Sequence, residues 1–330
     1  MVIEHISRPR VGLLGNPSDL FRGRVLGFSF DDFGARARLI PAGKCSLLTQ
    51  GTPELFFADC EDLDPSSIEG GQALMAAALC QLQQHFQAQV DCAARPFQLA
   101  MTSDIPRQVG LAGSSAIVVA CLRVLAKHFE IEVPDFLCSE IALAAETVQL
   151  GQVAGPQDRV LQSYEGALYM DFSEPRRDDR YQRVSVGELQ DLIVVYDPQP
   201  GKASGALHAD VHALWRANDP VTRAGIAVFS DLAAEGLDHL RFGRVAKFAD
   251  CMDANFQARQ ALWNVAEADC AIAAIAQEAG AGAKLCGSGG ALVLLPRPQT
   301  DVSALRKRLL STGWKLLAPT IPSILGESIA

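Results

Sequence analysis

The segment PRQVGLAGSSAIVVACLRVLAKHF, residues 106–129, constrains this chain more than any other stretch. Its second half places Ile117, Val118, Cys121, Leu122, Leu125 and Phe129 at three- and four-residue intervals, the spacing of an apolar stripe on a helix. Its first half puts Gly110, Gly113, Ser114 and Ser115 immediately before that helix. A helix start leaves four backbone N–H groups without intrahelical partners and carries a partial positive charge. Glycines there let the backbone approach an anion closely and curl N–H groups around it. Residues Gly110, Leu111, Ala112, Gly113, Ser114 and Ser115 are therefore a candidate phosphate cradle, and a serine hydroxyl at the helix start can reach a magnesium ion. The plainer alternative is a Gly turn with a Ser N-cap. The stretch is not a Walker A loop, because no Lys-Ser/Thr follows Gly113, and it lacks the second glycine of the G-x-S-x-G elbow.

The surrounding pattern predicts a mixed chain. Val11–Leu14 and Val25–Ile40 read as strands separated by the turn-rich GNPSD. Leu74, Met75, Ala78, Leu79, Leu82 and Phe86 predict a helix over 71–89, and a further helix is expected over 135–150. PFQLAMTS, GALYMDF, DLIVVYD and ALVLL read as strands, helices fill 204–279, and a last helix and strand lie at 302–310 and WKLLAP. Strands and helices do not alternate regularly, so α+β fits better than a doubly wound sheet. The polar segment SEPRRDDRYQR, 173–183, marks the expected boundary between two domains, 1–183 and 184–330, in keeping with about 150 residues per domain.

Composition narrows the function classes. With 49% hydrophobic residues the chain can bury a sizeable core, and a formal net charge of −9 argues against nucleic-acid binding. The 9 cysteines are scattered in apolar runs with no C-x-x-C pair, so they read as small core residues in a reducing compartment. MVIEHISRPR has no signal-peptide core, and no apolar run approaches the ~18 residues of a membrane span. The expectation is a soluble cytoplasmic protein with a small-molecule partner, no nucleic acid and no membrane. His208 and His212 stand four apart but lack a third ligand and the H-E-x-x-H pattern, so they are not read as a metal site.

Two further elements bear on chemistry. Glu146 sits late in an Ala- and Leu-rich helix, and Asp158 follows the Gly-Pro turn of AGPQD, so the two carboxylates can approach one pocket or simply be solvated. One carboxylate for magnesium and one for a hydroxyl proton is what phosphoryl transfer needs. CGSGGALVLL, from Cys286 to Leu295, is a second glycine loop, either a hairpin turn or a second backbone surface against the same ligand.

Together, RPRVGLLGNPSDLFRGRVLGF, PRQVGLAGSSAIV, the Glu146–Asp158 pair and CGSGGALV resemble the motifs of the GHMP kinase superfamily, in order and over nearly the whole chain. Within it, LLGNPSD, GSSAIV, QDRV and GSGGA look most like the glucuronokinases. The resemblance implies a two-domain α+β GHMP kinase fold, with an ATP-binding N-terminal domain like the ribosomal protein S5 domain 2 and a ferredoxin-like C-terminal domain. It implies ATP and Mg2+ as cofactors and the anomeric hydroxyl of a uronic acid, most simply D-glucuronate, as acceptor. Another sugar or sugar acid such as galacturonate or a hexose is the alternative, and a non-catalytic sugar or nucleotide sensor a more distant one. By the same resemblance Ser115 and Glu146 hold the metal, Gly110–Ser114 wrap the phosphates, and Asp158 and Arg10 are catalytic. Asp19 contacts sugar hydroxyls, and Gly287, Ser288, Gly289 and Gly290 shape the substrate side of the site. The resemblance departs at Ser204-Gly205-Ala206, where a lysine is expected in the third place. A uronate needs a cation at its carboxylate, for which Arg24, Arg107 and Lys202 are the candidates.

Overall fold

The computed structural model describes residues 1–176, 179–187, 189, 191–199 and 205–322, with 205–209 described by their backbone alone. Elements are numbered along the chain. Packing divides it into two compact units: Met1–Pro9, Phe33–Ile105 and Ala112–Glu165 form the first, and Arg10–Asp32, Pro106–Leu111 and Gly166–Ala330 the second.

The first unit is a five-stranded sheet under helices. Its strands, in spatial order, are β1 (Ile3–Ser7), β4 (Ala35–Pro41), β7 (Phe97–Ser103), β5 (Cys45–Thr49) and β6 (Leu55–Phe57). All neighbours are antiparallel except β5 and β7, which are joined through β6 and the helix α1 (Gly70–Phe86). Alternation sets which face is covered: in β4, Ala35, Ala37 and Leu39 are buried while Arg36 and Arg38 are exposed. Leu39, Leu47, Phe97 and Leu99 of the sheet share one core with Met75, Leu79 and Leu82 of α1 and with Val118, Cys121, Leu122 and Leu125 of α2 (Gly113–Phe129). Helices α3 (Asp135–Ala144) and α4 (Gln157–Tyr164) complete the layer.

The second unit holds two four-stranded sheets, each antiparallel throughout. One runs β2 (Arg10–Leu14), β3 (Arg24–Ser29), β8 (Ala167–Asp171), β9 (Tyr181–Arg183). The other runs β11 (Ala281–Leu285), β12 (Ala291–Pro296), β10 (Ile193–Tyr196), β13 (Lys315–Leu317). Its helices are α5 (Gly205–Arg216), α6 (Pro220–Arg241), α7 (Val245–Leu262), α8 (Glu267–Glu278) and α9 (Val302–Leu310). Helix α6 lies against β2, where Gly236 faces Leu14, and α7 lies against β11, where Gly282 faces the backbone of Ala249.

Four features differ from the sequence reading. The strand expected over 25–40 is two strands in different sheets, broken at Asp31-Asp32-Phe33-Gly34. β1, β5, β6 and β9 were not anticipated, and β9 lies inside the polar segment read as the boundary. The helix expected over 135–150 ends as an α-helix at Ala144 and finishes in a π-helical turn, Ala145–Gln149. Packing also groups the chain differently from a serial division at 183, because β3 pairs with β8 and, together with its other neighbour β2, carries residues 10–32 into the second unit.

Candidate functional site

In the first unit the site begins at α2. Its N-cap is Ala112, in the left-handed region (φ 61, ψ 41), and no side chain caps the helix. Ser114 and Ser115 are therefore inside the first turn rather than capping it, and the free N–H groups at this end remain available to an anion. Ser114 is exposed. Ser115 is buried, and its Oγ has no hydrogen-bond partner among the described residues.

Glu146 occupies the π-helical turn and is fully buried. Its Oε2 accepts from Arg159 Nε at 2.6 Å and from Arg159 Nη2, while Oε1 has no partner among the described residues. Such turns re-aim a side chain within a helix and concentrate at functional sites. Asp158 stands in the first turn of α4, with its side chain 16% exposed and Oδ2 3.9 Å from Arg159 Nη1. One turn along, Gln162 Nε2 donates to the carbonyl of Ala112 at 2.9 Å. Helix α4 thus carries Asp158, steadies Glu146 through Arg159 and steadies the start of α2 through Gln162.

In the second unit Arg10 opens β2 and is buried. Its Nη1 donates to Gly110 O at 2.5 Å and to Cys286 O at 3.4 Å, and its backbone N–H to Leu111 O at 3.3 Å. One arginine ties both glycine loops. The loops meet backbone to backbone: a Cβ on Gly287 would lie 2.4 Å from Gly110 O and 2.9 Å from Arg10 Nη1, and one on Gly110 would lie 2.9 Å from the nitrogen of Ser288. Gly110 also has φ +74, so glycine is required there on two counts. Gly289 and Gly290 continue the turn, with Gly290 N–H donating to Asp269 at 3.0 Å.

Asp19 is buried in the short 3-10 turn Ser18–Phe21. Of the cations suggested for a carboxylate, Arg24 donates from Nε to Asp171 Oδ2 at 2.9 Å, and that bond holds its proton more tightly than usual. Arg107 is exposed, and Lys202 lies outside the described residues, as does Ser204 of the departing triplet.

The sequence reading overlooked two buried cations of this unit. Lys284, within β11, donates to Gly12 O at 2.7 Å, Asn16 Oδ1 at 2.6 Å and Leu285 O at 2.6 Å, and burial presses its ammonium down to about 7. The small neighbours in AGAKLCG were a usable signal, since a strand buried on both faces has no place for a solvated lysine. Arg259 lies on α7 and is also buried, but NFQARQALW reads as an ordinary half-polar helix and carries no such signal.

Comparisons with known proteins bear on the family and the fold. The family model for the GHMP kinases N terminal domain matches residues 73–166. Glucuronokinase 1 of Arabidopsis thaliana is 31% identical over an alignment 344 positions long, covering 99% of this chain and 94% of the relative. Probable glucuronokinase 2 of the same plant is 31% identical, covering 95% of this chain and 90% of the relative. Lactococcus lactis galactokinase, solved with galactose, superposes with a TM-score of 0.84 at 18% identity, covering 97% of this chain and 93% of that one. Methanococcus jannaschii mevalonate kinase gives 0.76 at 17% identity, covering 98% of each chain. With full-length likeness in sequence and in fold, the chain belongs to the GHMP kinase family.

Proposed function

We propose that the protein uses Mg2+-ATP to phosphorylate the anomeric hydroxyl of a uronic acid, D-glucuronate giving glucuronate 1-phosphate. The observation that carries the chemistry is two buried oxygens, Ser115 Oγ and Glu146 Oε1, each without a partner among the described residues. Leaving such groups unmet costs about 1–3 kcal/mol each, and oxygens of this kind are what a hard cation takes as ligands. Ser115 and Glu146 would hold magnesium, which when bound supplies charge neutralisation at the phosphates. The choice of a uronate rests on the full-length likeness to the two glucuronokinases.

The residues of the chain divide the work. The uncapped start of α2 and the backbone of Gly110–Ser114 bind phosphate oxygens. Asp158 accepts the proton of the anomeric hydroxyl as the phosphoryl group moves. Arg10 compensates charge near the transferring group while its Nη1 holds the two glycine loops. Arg159 fixes Glu146 Oε2, so that Oε1 alone is offered. Asp19 and the 287–290 turn face the sugar. Catalysis on this reading is mostly positioning and electrostatics.

The test is ADP release with magnesium-ATP and a panel of glucuronate, galacturonate, glucose and galactose. Glucuronate is expected to have the highest kcat/KM, and Asp158→Asn to lose ~10²–10⁴-fold in turnover while still binding ATP. Equal or better use of glucose or galactose would overturn the uronate assignment. Sugar binding without turnover would make the protein a sensor.

A further inference from the structure

Two arginines of this chain are buried to the same degree and treated differently. Arg159, 4% exposed in the first unit, meets Glu146 through two of its nitrogens. Arg259, also 4% exposed, lies in the second unit with its guanidinium carbon 4.2 Å from the centroid of the Trp263 ring. Its Nε has no hydrogen-bond partner among the described residues. The charges of Asp19 and Asp269 favour its protonated form, but burial outweighs them and presses its pKa down to about 9. An arginine kept for structure is normally closed by a carboxylate, since a buried donor left unmet is costly. Stacking on an indole steadies a guanidinium without using its N–H groups.

Arg259 lines a cavity of about 10 Å³ together with Asn16, Asn255, Lys284 and Gly287. That space takes one water-sized group, which suits a carboxylate oxygen and not a sugar ring. Lys284, the other cation in the wall, has all three protons engaged by Gly12, Asn16 and Leu285. The Gly287 wall also adjoins Arg10, because a Cβ on Gly287 would meet that guanidinium at 2.9 Å.

We propose that Arg259 is the carboxylate receptor of the substrate site, its guanidinium N–H groups donating to the C6 carboxylate of the uronate. The assignment rests on the uronate reading above and replaces Arg24, Arg107 and Lys202 in that role. The neutral amides of Asn16 and Asn255 beside it, whose Oδ1 atoms already accept from Lys284 and from Gly15 N–H, can only donate and do not compete for the charge.

The full-length wild type, Arg259→Gln and Arg259→Lys are assayed with glucuronate and with glucuronamide, whose neutral amide replaces the carboxylate. The wild type is expected to prefer glucuronate. In Arg259→Gln the ratio of kcat/KM for glucuronate over glucuronamide should fall ~10- to 150-fold, the span of one charge-assisted hydrogen bond, through KM more than through kcat. Should that variant not fold, as judged by circular dichroism, Arg259→Lys decides: it keeps the charge, loses the planar fork, and should lower the same ratio by a smaller factor. An unchanged ratio in the folded variant, or an equal loss for both sugars, overturns the assignment and leaves the uronate reading standing. A wild type that prefers neutral sugars overturns both.

Discussion

Among the described residues Ser115 and Glu146 each keep one buried oxygen unmet, so on the proposed reading function and stability pull in opposite directions at these residues. Ser115→Ala removes the orphaned hydroxyl and is expected to leave the melting temperature unchanged or raise it, while lowering turnover ~10–100-fold and raising the magnesium needed for half-maximal rate. A variant with normal magnesium dependence would take Ser115 out of the site. Asp269 gives a second residue-level outcome. Burial raises its carboxyl to about 6 from 3.8, against the Gly290 N–H and Arg259 that favour the charged form, with Asp197 adding repulsion. The folded-state value is the higher one, so this group's favourable contribution is complete below about pH 4 and is lost as pH rises through about 6. Asp269→Asn does not titrate, and its denaturation midpoint should gain on the wild type across that interval. Parallel pH profiles would locate the titration elsewhere.

Within the first unit, helix α4 is the element on which the placement of Glu146 and of the start of α2 depends. Arg159→Met would leave Glu146 buried and uncompensated, a change that costs about 3–5 kcal/mol, measurable by chemical denaturation. Much of that loss should return in the double variant Arg159→Met with Glu146→Gln, because the second change removes the stranded charge. The sequence shows this element only in part. Helix α2 is legible from the spacing of Ile117, Val118, Cys121, Leu122 and Leu125, and the glycine loops from their composition, because those signals are local. Asp158 is legible as a motif residue, but its place in a helix is not, since Gly155 and Pro156 read as a turn. The Arg159–Glu146 pair escapes notice because thirteen residues separate the partners and a π-helical turn sets their register. Arg259 and Lys284 escape for a related reason: what marks them is burial, which belongs to the packed unit and not to the residue's neighbours in sequence.

At the scale of the whole molecule the chain is interleaved. The second unit takes β2 and β3 from the start of the sequence and the helix that covers them from beyond residue 220. Gly15 and Gly236 approach Ala233 and Leu14 too closely for a methyl group, and Arg24 N–H donates to Ser230 Oγ at 3.1 Å. A fragment ending at residue 183 keeps that sheet and loses its cover, exposing fully buried Val11, Leu13, Leu14, Val25 and Leu26 on one or both faces. It is expected to bind hydrophobic dyes and unfold without a cooperative transition; a monomeric 1–183 with a sharp melt would show that the serial division is self-sufficient. The same interleaving sets a clock during synthesis. At roughly 5–20 residues per second, the strands around Val11 and Leu26 leave the ribosome some 10–40 seconds before α6 follows them. For that interval the newborn chain carries a strand pair built for burial with its covering helix not yet made, a wait that has to be guarded.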